Sequence, residues 1–406
     1  MHTGARGALA AALATGLLLL PAATAPAHGS AAPYAAAPTP TPTPPQGAGE
    51  DFPELTPAVA ARLDAAIRQV QRETGVPGVT VGLWTPGKGS YLKSFGVADK
   101  ATGAPMAPGL GMRIGSETKT FTVTALLKLV DAGKAGLDDP VGKYVSGVPN
   151  GDRITLRQLA GMRSGLFNYS EDADFDKAFE ATPRRPFTPR ELLGYSFKHP
   201  VNFAPGAEFE YSNTNLILLG LVIERVTGQP LHEVVQREVL DPAGLRRTAF
   251  PTNADMPDPH AQGYTNQTAS GRIVDSTDWN PSWAWAAGAM TSDVQDLRRW
   301  APILAEGTLL TPATQAERLK TTSMNIPGDG YGLGIFDVQG WLGHNGSIPG
   351  YESLTVYLPQ TRTTMVILLN TDVETDGQEP STLFGEAVTG IVTPGHVFPG
   401  HKPHSG

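Results

Sequence analysis

Cysteine is absent from this chain of 406 residues. That excludes disulfides, a thiol nucleophile, Cys-ligated zinc and a lipid-modified cysteine anchor. Charge is sparse: Asp, Glu, Lys and Arg make up 17% of the residues and sum to a formal −8. A nucleic-acid binder would carry a basic face, so nucleic acid is excluded as a partner. No Gly-x-Ser-x-Gly elbow occurs, and the α/β-hydrolase turn is missing with it. His232-Glu233 opens a zinc pattern, but Gln236 stands where the second histidine belongs. Gly328, Gly330, Gly332 and Gly334 alternate with no helix expected after them, against a dinucleotide site. Neither a metal nor a cofactor is expected. Hydrophobic residues reach 40%, enough for a sizeable core in one large domain or two small ones.

At the N-terminus, Arg6 precedes an apolar run from Ala8 to Leu20, followed by Ala25-Pro26-Ala27. A weakly basic start, a short hydrophobic stretch and an Ala-x-Ala site predict a signal peptide over residues 1–27. A membrane anchor is the alternative, and the run is short for one. The protein is therefore expected to be secreted, with no anchor after processing. Residues 28–50 hold the run Pro38-Thr39-Pro40-Thr41-Pro42-Thr43-Pro44-Pro45, an extended linker without core-forming residues. The catalytic domain is expected over 51–392. A disordered tail is expected over 393–406, with His396, His401 and His404 solvated.

Between these ends, Thr56 and Pro57 open a helix with Val59, Leu63, Ile67 and Val70 on one face, stopped by Gly75. Val79–Trp84 and Tyr91–Val97 read as a hairpin, and so do Glu352–Leu358 and Thr363–Leu369. A helix follows Ser116, Asn215–Val226 is a second apolar helix, and Glu386–Ile391 a closing one. The fold class is thus α/β of the α+β type. A mostly antiparallel sheet is built from both chain ends and flanked by helices, with a helical lobe inserted between them.

Ser-x-x-Lys occurs twice, as Ser90 with Lys93 and as Ser116 with Lys119. On a strand, residues three apart face opposite ways; on a helix they are neighbours. Only Ser116 and Lys119 can therefore place an amine near a hydroxyl. A serine needs such a base near neutral pH, and a buried lysine can be one if burial keeps it neutral. The Ser116 backbone N–H at a helix start could help hold an oxyanion. A helix-capping serine followed by a surface lysine is the plain alternative. Tyr211, in Tyr211-Ser212-Asn213, is the candidate proton relay; Tyr264-Thr265-Asn266 repeats the spacing in what reads as loop. His344-Asn345-Gly346-Ser347 precedes the final strands, where Gly346 could let a substrate backbone approach and the Ser347 N–H could complete an oxyanion hole.

Taken in order, Arg113-Ile114-Gly115-Ser116-Glu117-Thr118-Lys119, Tyr211-Ser212-Asn213 and His344-Asn345-Gly346 resemble the serine β-lactamase and D-alanyl-D-alanine carboxypeptidase superfamily. The Tyr-x-Asn and His-x-Gly versions are similar to the class C and secreted D,D-carboxypeptidase branch. The resemblance implies a β-lactamase-like fold over about residues 51–392. It also implies that Ser116 is acylated, Lys119 and Tyr211 exchange protons and Asn213 steadies the substrate amide. Gly346 and Ser347 would line the edge where the acyl chain docks, and Trp283 would wall the cleft. A penicillin-acylated carboxypeptidase acting on small peptides of cell-wall peptidoglycan is the expectation. Two departures stand: Asn345 replaces a common Thr, and Ile335-Phe336-Asp337 offers no cation to clamp a terminal carboxylate. A β-lactamase, an esterase, a D-aminopeptidase or a slow penicillin-recognising binder would need no such clamp.

Overall fold

The computed structural model describes residues 52–399. The expected signal peptide and linker, together with His401 and His404, lie outside the described residues. Helix α1 (Pro57–Thr74) starts where Thr56 Oγ1 accepts from the Val59 N–H and ends at Gly75 in the left-handed region (φ 70°). Leu63 and Ile67 bury its apolar face.

The sheet has eight strands: β1 (Gly78–Thr85), β2 (Gly89–Gly96), β3 (Thr322–Ser323), β4 (Asp329–Tyr331), β5 (Phe336–Val338), β6 (Trp341–Ile348), β7 (Tyr351–Leu358) and β8 (Thr363–Leu369). Their spatial order is β2-β1-β8-β7-β6-β5-β4-β3, and every pair is antiparallel. N-terminal and C-terminal strands thus meet inside the sheet, where Val79 pairs with Leu369 and Trp84 with Thr364. Strands β1, β7 and β8 are buried along their whole length, as strands covered on both faces must be.

Successive side chains on β7 show what covers each face. Ser353 Oγ donates to the Ile114 carbonyl (3.0 Å), just before the Ser116 turn. Its neighbour Leu354 lies under the closing helix, where a Cβ on Gly385 would stand 2.9 Å from Leu354 Cδ2. Adjacent residues on a strand point to opposite faces, so the Ser116 turn and the closing helix flank the sheet on opposite sides.

Four more helices matter to the site: α2 (Thr118–Asp131), α3 (Asn213–Thr227), α4 (Val294–Glu306) and α5 (Pro380–Val392). Helix α2 is buried continuously from Thr118 to Leu127. Its threonines stay satisfied because Thr120 and Thr124 donate to the Glu117 and Thr120 carbonyls, and Thr122 donates to the Ala286 carbonyl.

Three expectations need correction. The closing helix begins at Pro380 rather than Glu386, because proline is well placed in a first helical turn. Residues 393–399 are packed, not free: Phe398 is buried, and the Trp341 indole donates to the His396 carbonyl (2.8 Å). Tyr264-Thr265 forms a two-residue ladder with Val274-Asp275 instead of loop, away from Ser116.

Candidate active site

Gly115, Ser116 and Glu117 form one tight 3-10 turn that runs into α2. Residues three apart remain neighbours there, and Lys119 Nζ lies 2.8 Å from Ser116 Oγ. The amine also donates to the Ala287 carbonyl at 2.8 Å. Lys119 is fully buried, and burial drives its pKa well below the usual lysine range. The arrangement sets an amine whose charged form is disfavoured against a hydroxyl. Ser90 and Lys93, the other pair, sit on β2, where Lys93 is tied to Asp64 at 2.6 Å.

Tyr211 closes the other side of the nucleophile, its ring centroid 4.8 Å from Lys119 Nζ. Burial raises its phenol above the usual range, the Ser116 hydroxyl pulls the other way, and the Glu379 charge adds to the rise. Both shifts favour the uncharged forms, an amine able to accept the Ser116 proton and a phenol able to return one. Tyr211→Phe keeps the ring contacts with Tyr331 and His344. It is expected to cut kcat by about 10²–10⁴-fold with little change in unfolding midpoint, by steady-state kinetics and thermal melts.

The His344 segment is strand β6. His344 is buried, not exposed; Nδ1 donates to the Asn345 carbonyl (2.6 Å) and Nε2 accepts from the Tyr331 hydroxyl (3.0 Å). Burial above all lowers its pKa to about 3, with nearby Lys119 adding to the fall, so it stays neutral. Gly346 lines the recess and also permits a second close approach. A Cβ there would stand 2.0 Å from the Ile114 carbonyl oxygen, so the missing side chain lets the nucleophile's own turn pack on β6. Gly115, at φ 48°, is similarly tight: a Cβ would lie 2.7 Å from the Ser347 backbone nitrogen. That contact brings the Ser347 nitrogen beside the Ser116 turn, as a two-donor oxyanion hole needs.

Ser116, Tyr211, His344, Asn345, Gly346 and Ser347 line one recess of about 310 Å³. Asn213 and Trp283 are not among its lining residues. Asn213 is the first residue of α3; its Nδ2 donates to Ser170 Oγ (3.1 Å) and its N–H to Asn168 Oδ1 (3.0 Å). Trp283 packs its ring on Phe179 (5.2 Å) and Phe175 (5.9 Å), accepts from the Tyr169 hydroxyl, and lines a separate small cavity with Arg113. Its placement as the cleft wall is corrected; Phe209, Phe336 and Phe398 wall the recess instead. Glu379 and the Ala287 carbonyl also escaped the sequence reading, one lying outside every motif and the other being backbone. Among the described residues, no three His, Asp or Glu side chains converge as a metal would require.

Glu117 is buried beside the nucleophile, with the Ser353 and Thr355 hydroxyls near its carboxyl. Burial raises its pKa from 4.5 to about 8, with the nearby Ser353 and Thr355 hydroxyls pulling partly back. A raised carboxyl contributes stability that is full below the unfolded value and lost as pH climbs through the folded one. Glu117→Gln is therefore expected to retain on the order of 3 kcal/mol that the parent loses between about pH 5 and pH 8, by urea unfolding across that range.

The Beta-lactamase family profile matches residues 63–387. Among curated relatives, protein flp of Staphylococcus aureus strain MRSA252 is 27% identical over 330 residues, 79% of this chain. The chain spans 64% of that relative's length. Among solved structures, a D-stereospecific amidohydrolase from Streptomyces sp. is 34% identical with a TM-score of 0.69, covering 78% of this chain and 94% of that one. A D-amino acid amidase from Ochrobactrum anthropi SV3 is 28% identical with a TM-score of 0.71, covering 82% and 96%. Fold, nucleophile turn and profile agree: the chain belongs to the beta-lactamase family.

Proposed function

We propose that this protein hydrolyses amide bonds of D-amino-acid compounds through an acyl-enzyme on Ser116. The observation that carries the reading is a buried amine 2.8 Å from a hydroxyl at the wall of an apolar recess. Neutral Lys119 takes the Ser116 proton as Oγ bonds to the amide carbon. The oxyanion is held by the Ser116 and Ser347 N–H groups. The leaving amine receives its proton from Tyr211, which Lys119 restores, and the C–N bond breaks. Water then attacks the ester, giving its proton to the same pair, and Ser116 is released.

The amidohydrolase and the amidase support the D-amino-acid class. The carboxypeptidase expectation has weaker support, since neither Lys nor Arg lines the recess to receive a terminal carboxylate. Acylation by penicillins is the second reading, favoured by membership in a family whose name is that activity. The apolar run before Ala25-Pro26-Ala27 supports export, and peptidoglycan-derived small peptides would then be within reach. The test is a panel: D- and L-amino-acid amides, a diacyl D-Ala-D-Ala peptide, nitrocefin and a short-chain ester, with penicillin adducts mapped by mass spectrometry. D-amides are expected to give the highest kcat/KM. A lead for D-Ala-D-Ala or for L-amides replaces the substrate reading, and an adduct away from Ser116 overturns the site.

A further inference from the structure

The recess beside Ser116 carries one acidic side chain, Glu379, and no basic one. Lys119 sits behind the nucleophile, and His344 is neutral, so neither offers a cation to a ligand. Glu379 is the residue before α5, on the face of the sheet opposite the Ser116 turn. It nevertheless joins the recess, because β5 pairs with β6 only as far as Gly343, leaving the edge from His344 onward unpaired by β5. Asn345 reaches over that edge, and its Nδ2 donates to Glu379 Oε2 (2.7 Å). The buried Glu352 carboxyl on β7 lies close enough for the Glu379 charge to raise its pKa.

We propose that Glu379 selects substrates bearing a protonated primary amine and turns away those ending in a carboxylate. Met324, Ile326, Phe336 and Phe398 would take the apolar side chain of such a substrate. This rests on the acyl-enzyme reading of Ser116 and specifies what that site accepts. An ammonium facing a fixed carboxylate in a recess largely shielded from water gains a charge-assisted bond. A carboxylate there would meet a like charge with no cation to offset it. Asn345 also acquires a role: in place of the hydroxyl common at the middle of His-x-Gly, its amide orients the acid. Burial, against the pull of Asn345 and with a smaller push from Glu374, raises the Glu379 pKa, and an incoming cation favours its ionised form.

Binding tests this without turnover. The full chain carrying Ser116→Ala is titrated calorimetrically with 4-phenylbutylammonium, 4-phenylbutan-1-ol and 4-phenylbutyrate. The ammonium is expected to bind about tenfold tighter than the alcohol, with the carboxylate weakest, and Glu379→Gln in the same background should bring ammonium and alcohol within about twofold. In the active enzyme, Glu379→Gln should lower the ratio of kcat/KM for D-phenylalanine amide over its N-acetyl derivative by about tenfold. A preference that survives Glu379→Gln, a carboxylate that binds best, or no binding by any probe overturns the proposal. Failure of the acyl-enzyme reading shows separately, as no adduct and no turnover at Ser116.

Discussion

Ser116→Ala is expected to leave about one part in a million of the parent's amide turnover, the scale set by truncating a serine nucleophile elsewhere. Its Oγ faces both the lysine amine and the tyrosine, so no neighbouring hydroxyl can take its place. The change should be nearly silent in stability. Lys119 keeps its bond to the Ala287 carbonyl, and the lost oxygen opens onto the recess instead of leaving a closed void. The measurement is kcat on the best amide of the panel, with active-site titration to count competent molecules. A loss below about a hundredfold would place the nucleophile elsewhere.

Lys119→Met is expected to cost about 10⁴-fold in kcat/KM, since a serine hydroxyl without a base scarcely ionises near neutrality. The unbranched side chain fills most of the lysine's volume, so the loss reports the amine and not a collapsed turn. The sign of the pH effect follows from the lowered pKa. The amine is protonated and inactive in acid, and activity rises as it loses that proton at a pH far below that of a free lysine. The parent's acid limb in kcat/KM should vanish in Lys119→Met. Partial rescue by added small primary amines would separate a missing base from a damaged fold.

Much of this site was legible in residue order, for a physical reason. Ser116 and Lys119 interact within one turn, so spacing alone nearly fixes their geometry, and the decoy pair failed on strand alternation as expected. The two hairpins showed because long β-branched runs flank short turns. Strands β3 to β5 did not, being two or three residues long; periodicity needs more residues than that. Asn213 and Trp283 were carried by likeness alone, and their environments differ: one braces the Asn168–Ser170 loop and the other joins an aromatic cluster. Glu379 was hidden for another reason. It becomes part of the recess only because a strand edge opens between two faces of the sheet, and no local pattern encodes that. Phe398 escaped because a Pro/Gly/His-rich ending reads as unstructured, while the single aromatic within it finds a buried seat.

The meeting of first and last strands inside the sheet bears on how the molecule is made. Strand β1 must wait for its partner β8, since Thr85 and the Thr363 it faces are 278 positions apart. Until then that ladder has no template, and closing so long a loop delays productive collapse. The newborn polypeptide therefore lacks an interior ladder until β8 has been made, and any truncation short of Leu369 removes part of it rather than trimming a margin.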